Sequence, residues 1–193
     1  MIAVVAALRR VRLWPIALIF AVTMGIAMPS HAAPKSAYDF EFVSIDGTTL
    51  KLADYRGHPV LVVNTASFCG YTPQYKGLQA LWSRYRDKGF VVIGVPSNDF
   101  GAQEPKGEAA IKEFCELNYD VDFPLTKKQV VKGAAAHPFY RWAVEVGGAA
   151  AEPKWNFHKL LIGPDGALIK AFPSSVEPMS AEVTAAVEGF LAK

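Results

Sequence analysis

Residues 60–65 read Val-Leu-Val-Val-Asn-Thr. A run this apolar and β-branched predicts a central strand buried on both faces. Such a strand needs a layer of helix over each side. Ala66 to Tyr71 then form a short loop, and Thr72-Pro73 offers an N-cap followed by a first helical residue. Tyr75, Leu78, Leu81, Trp82 and Tyr85 recur at helical spacing toward Lys88, and Gly89 stops the helix. Phe90 to Val95 is a second buried strand. This β-α-β unit implies parallel strands with a right-handed crossover. Cys69 therefore falls in a loop between a buried strand and a helix N-terminus, where backbone N–H groups face the sulfur and suit a reactive thiol.

The rest of the chain extends the pattern. Tyr38–Ile45 and Thr48–Leu52 flank Asp46-Gly47, a tight hairpin signal. A helix is expected over Gly107–Asn118, with Ala110, Ile111, Phe114 and Asn118 along one side, and another over His137–Val146. Asn156–Ile162 and Ala167–Phe172 pair around Pro164-Asp165-Gly166, and Ser180–Ala192 closes the chain as an amphipathic helix. The order implies an α/β protein with a central mixed β-sheet, helices on both faces and an N-terminal β-hairpin. A thioredoxin-like fold carries its reactive cysteine in the loop after the first parallel strand, which is where Cys69 falls.

Residues 1–32 read as an export signal peptide. Arg9, Arg10 and Arg12 precede the apolar stretch Leu13–Met28, and Ser30-His31-Ala32 is a small-x-small cleavage site. The apolar stretch is short for a membrane span and contains Pro15 and Gly25. The expectation is an exported, periplasmic domain over residues 33–193, without membrane insertion after cleavage. The alternative is an uncleaved N-terminal anchor. The full chain carries +2, but three of its 20 basic residues lie in the signal, which leaves 17 against 18 acidic ones, or −1. That balance gives no electrostatic case for nucleic acid.

Two cysteines are present, Cys69 and Cys115, 46 residues apart. Position 72 is Thr and position 73 is Pro, so neither the CxxC of a disulfide reductase nor the CxxxC of a copper-delivery module is present. In an exported domain a structural disulfide is one reading of the pair. His58, His137 and His158 lack metal-ligand spacing, and Ser36, Ser67 and Ser97 lack a base and orienting acid.

Three segments together resemble the glutathione peroxidase family in its cysteine form. They are Asn64-Thr65-Ala66-Ser67-Phe68-Cys69-Gly70-Tyr71-Thr72-Pro73-Gln74-Tyr75, Phe100-Gly101-Ala102-Gln103-Glu104-Pro105 and Trp155-Asn156-Phe157. The resemblance implies a catalytic set of Cys69, Gln103, Trp155 and Asn156. It implies a thiol peroxidase with no metal or organic cofactor. Three neutral N–H donors can hold a thiolate and catch the leaving oxygen of hydrogen peroxide or an organic hydroperoxide.

Phe114-Cys115-Glu116-Leu117-Asn118-Tyr119 resembles the resolving segment of members that use thioredoxin. In that reading Cys115 attacks the sulfenic acid on Cys69, and the reduced state keeps the two thiols apart. Simple core packing of Cys115 is the other reading. The reductant is expected to be a thioredoxin-like protein or glutathione, although no arginine cluster marks a tight glutathione site. Ser97 stands where many relatives have cysteine, and Asp99 where they often have glutamine. The short segment from His137 to Trp155 has no tetramer-forming insertion, so a monomer is expected. A redox sensor that passes oxidation to a partner protein uses the same residues and is the competing function.

Overall fold

The computed structural model describes residues 36–191. The signal segment at 1–32 lies outside the described residues. Two short strands, β1 (Glu41–Val43) and β2 (Thr49–Lys51), form the N-terminal hairpin, with Gly47 at φ +89° in its turn. The main sheet holds β3 (Val60–Thr65), β4 (Val91–Pro96), β5 (Lys159–Ile162) and β6 (Leu168–Phe172) in the order β4-β3-β5-β6. β3 and β4 are parallel, while β3–β5 and β5–β6 are antiparallel, so the sheet is mixed. The helices are α1 (Gln74–Tyr85), α2 (Glu108–Tyr119), α3 (Pro138–Gly147) and α4 (Ala181–Glu188).

Every residue of β3 is buried, as its composition demanded. Alternation sorts its side chains. Val60 and Val62 join Phe139, Trp142 and the hairpin residues Phe42 and Leu50 in one apolar layer. Leu61 and Val63 join Tyr75, Leu78, Ile111 and Val183 in the other. Thus α3 and the hairpin cover one face, and α1, α2 and α4 cover the opposite one. At about 1.5–3 kcal/mol per fully buried Leu, Val or Phe side chain, these two layers dominate the stability of the fold. They also hold rigid the sheet edge from which the Cys69 loop emerges.

Several boundaries differ from the sequence expectation. Residues 37–39 make a 3-10 turn rather than the start of a strand. α1 begins at Gln74, with Pro73 as its N-cap, and gives way to a 3-10 turn at Arg86–Lys88 before Gly89 at φ +86°. Thr72 does not cap the helix; its hydroxyl serves the Cys69 loop instead. The buried face of α2 is Ile111 and Cys115, whereas Asn118 is exposed. Asn156–His158 precede β5 as a turn rather than extending it.

Candidate active site

The Cys69 loop is held from below by one threonine. The Cys69 N–H donates to Thr72 Oγ1 at 2.9 Å, and that hydroxyl donates to the Ala66 carbonyl at 2.9 Å. The loop is thereby closed on itself before α1 starts. The Tyr71 N–H then points at the sulfur and donates to Cys69 Sγ at 3.4 Å. Cys69 is buried, and both cysteines are free.

The Gln103 loop is stitched to the Cys69 loop along its length. Phe68 N–H donates to the Gln103 carbonyl at 3.1 Å. Ser67 donates twice to Glu104 Oε2, from its N–H at 2.8 Å and its hydroxyl at 3.0 Å. Glu104 is wholly buried, and burial raises its pKa against the opposing pull of the Ser67 bonds and of Lys128 and Lys106. Its backbone is pinned as well, by Asn98 at its N–H and Lys128 at its carbonyl.

Asn156 donates from Nδ2 to Gln103 Oε1 at 2.9 Å, joining the third segment to the second. Trp155 is 40% exposed, packs on Phe100 at 5.8 Å between ring centroids, and gives its carbonyl to Asn64 Nδ2 at 3.0 Å. Asn64 also accepts the His158 N–H at 3.1 Å. Of the four residues named from sequence, Gln103 and Asn156 are in direct contact. Cys69 reaches Gln103 through the backbone of its neighbour Phe68, and Trp155 reaches the Gln103 loop through Phe100.

Two left-handed non-glycine residues flank this arrangement. Ala102, at φ +51°, immediately precedes Gln103, and Phe157, at φ +63°, immediately follows Asn156. Such backbone is costly outside glycine and is retained where the surroundings over-determine it. Here it turns both amide-bearing residues toward each other.

Cys115 lies on α2 in the same apolar layer as Cys69. It is 0% exposed, and burial pushes its thiol up to about 11. The Tyr75 hydroxyl sits among the Cys115 thiol, the Thr65 hydroxyl and the Glu104 carboxyl without closing a well-formed hydrogen bond to any of them. Asp99 works elsewhere in the loop, accepting the N–H groups of Val131 at 2.7 Å and Lys132 at 3.3 Å. Among the described residues no group of three or more His, Cys, Asp or Glu side chains could hold a metal ion.

A family model described as glutathione peroxidase matches residues 37–144, which take in the Cys69 and Gln103 loops. The chain belongs to the glutathione peroxidase family. It is 43% identical over 167 residues to the hydroperoxy fatty acid reductase gpx1 of Synechocystis sp., covering 82% of this chain and 98% of that one. It is 43% identical over 147 residues to a glutathione peroxidase of Lactococcus lactis, covering 75% and 94%. The crystal structure of Trgpx in apo form superposes with a TM-score of 0.63 at 35% identity, covering 81% and 97%. The thioredoxin-like arrangement expected for this glutathione peroxidase chain is therefore the one observed.

Sequence reasoning passed over Glu104, which reads as a turn residue beside Pro105, and assigned Thr72 the wrong task. Asn64 carried a usable signal. It is the lone amide in a strand buried on both faces, and a buried amide must find partners. The bonds to Trp155 and His158 are those partners.

Proposed function

We propose that the protein is a thiol peroxidase in which Cys69 is the nucleophile. The observation that carries the reading is the Asn156–Gln103 amide pair, fastened to the loop whose sulfur already receives the Tyr71 N–H. Cys69 thiolate attacks the terminal oxygen of a hydroperoxide. The O–O bond breaks, the sulfur is oxidised by two electrons to the sulfenic acid, and the leaving oxygen takes a proton to become water or an alcohol. The neutral donors of Gln103, Trp155 and Asn156 steady the charge that moves from sulfur to oxygen. No metal or organic cofactor enters this chemistry.

Cys115 resolves the sulfenic acid. Its thiol attacks the Cys69 sulfur, water leaves, and a Cys69–Cys115 disulfide forms. A thioredoxin-like protein then returns both thiols by exchange, or glutathione does so. A groove of about 650 Å³, walled by Tyr71, Trp155, His158, Ala171 and Pro173, adjoins the site and gives room for the organic part of an alkyl hydroperoxide. A roomier groove of about 820 Å³ runs between the hairpin and the end of α2, and holds none of the site residues.

The signal-like segment at 1–32 supports export to the periplasm, where the reductant must also reside. Among the described residues no helix is long and apolar enough to cross a membrane. The short stretch between α3 and Trp155 supports a monomer.

The test is Cys69→Ser. Peroxide turnover with either reductant is expected to vanish while the circular dichroism spectrum is unchanged. Retained turnover would refute the proposal.

A further inference from the structure

Lys159 is a buried cation that the peroxide chemistry leaves unused. It opens β5, four positions after Trp155, and is 0% exposed. Its ammonium has three N–H donors, and three oxygens receive them. Gln74 Oε1 lies at 2.6 Å, the Val176 carbonyl at 2.5 Å and the Ser174 carbonyl at 3.3 Å. None of these oxygens is charged. The carboxylate of Glu177 stands one step further out, accepting from Gln74 Nε2 at 3.3 Å, and that same Nε2 also donates to the Ser174 carbonyl at 2.8 Å. The Gln74 amide is thus clamped at both ends, its oxygen toward Lys159 and its nitrogen toward Glu177 and Ser174.

The three parties to this clamp are the parts of the molecule that must agree on position for the reaction. Gln74 is the first residue of α1 and lies five residues after Cys69. Lys159 opens the strand that follows the Trp155–Asn156 turn. Ser174 walls the groove beside Trp155. A buried ammonium without a carboxylate against it is costly, and an apolar side chain of the same length would pack there at less expense. Simple packing therefore does not account for it.

We infer that Lys159 is a positioning residue for the peroxidase reaction: through Gln74 it locks the helix that follows Cys69 to the strand that follows Trp155 and Asn156. It touches neither peroxide nor sulfur. The inference rests on the peroxidase reading given above. The clamp is strongest while the amine carries its proton, since the charged group has three donors and polarises each bond. Burial lowers the ammonium to about 8, against the opposing pull of Glu177. Glu177, from the segment after β6, and His158, in the turn just before β5, are the titratable groups beside it, and α1 contributes the neutral Gln74. His158 is lowered to about 4 and stays uncharged above neutrality.

The experiment measures the second-order rate of Cys69 oxidation by hydrogen peroxide, using the full chain in stopped flow from pH 6.5 to 9.5. Lys159→Met is expected to slow that step at least tenfold at pH 7. The wild-type advantage should narrow at least threefold as the pH passes about 8, because the wild type then loses its own ammonium. The two proteins are compared as a rate ratio at each pH. A rate within twofold of wild type at pH 7, or a ratio flat across the range, would overturn the inference. If Lys159→Met does not fold, Glu177→Gln, at an exposed position, supplies the test. Loss of that carboxylate should move the wild-type decline to lower pH, and an unmoved profile overturns the inference. A wild type whose Cys69 is not oxidised at all would instead sink the peroxidase reading, which separates the two failures.

Discussion

The Asn156 side-chain N–H reaches Gln103 Oε1 at 2.9 Å, so the oxygen end of Gln103 is occupied and its amide N–H₂ end is turned away from Asn156. An amide with free rotation could offer either end to a thiolate. With its oxygen taken, this one has its N–H₂ donor left to offer. Asn156→Ala should release Gln103, and Asn156→Asp should remove the donor while keeping the shape. Both are expected to slow sulfenic acid formation on Cys69 by about 10²-fold, the usual loss for one oxyanion-stabilising donor. Stopped-flow oxidation with dimedone trapping reads the step, and a change below threefold in both variants would contradict the geometry.

Glu104 fastens the Cys69 loop through Ser67, so Glu104→Ala leaves a buried N–H without an acceptor. The expected cost is about 1–3 kcal/mol in urea unfolding. Glu104→Gln retains an acceptor oxygen and should recover most of it. Because burial raises the folded-state pKa, the carboxyl contributes stability at acid pH that is lost as the pH rises through that value. The stability of Glu104→Gln relative to wild type should therefore rise from pH 4 toward neutrality. Equal stability of the Ala and Gln variants would show that the Ser67 bonds carry no weight.

His158 is buried, its Nε2 has no partner among the described residues, and burial holds its pKa down to about 4. The unfolded chain takes up a proton near 6.5 while the folded chain refuses it. Stability from this group is thus full above 6.5 and lost as the pH falls toward 4, by at most about 3 kcal/mol. His158→Phe abandons no hydrogen bond of the ring and should flatten that acid limb. Thermal melts between pH 4 and 7 provide the check, and parallel slopes in the two proteins would count against it.

Cys115, pushed up to about 11, should remain a thiol at pH 7.5 and resist alkylation in the folded protein. Iodoacetamide under native conditions should therefore label Cys69 first, as read by peptide mass spectrometry. Cys115→Ser should leave the first peroxide oxidation within threefold of wild type and abolish recycling by a thioredoxin-like reductant. Normal recycling in that variant would remove Cys115 from the cycle.

What the sequence made legible was whatever rests on periodicity and on contiguous motifs. The all-apolar stretch of β3, the alternation behind the two core layers, and the placement of Cys69 at a strand end all follow from local rules. Gln103 and Asn156 were found through their motifs, yet the bond between them spans 53 residues and has no local signature. Glu104 and Lys159 stayed hidden for the same reason. A charged residue in a turn or at a strand start looks solvated until the tertiary fold closes over it. Thr72 was misassigned because one hydroxyl can cap a helix or close the preceding loop, and the competition is settled by where Pro73 starts the helix.

One consequence follows from the complete burial of Cys115 on the inner face of α2. In the proposed cycle this thiol must leave the core once per turnover and return to it after reduction. Catalysis then includes a folding reaction, and the speed of recycling is tied to how readily one helix lets go of its neighbours. Substitutions that tighten α2 against α1 should yield a protein that melts later and recycles more slowly. For this chain, robustness and throughput would be set by the same few contacts and pull in opposite directions.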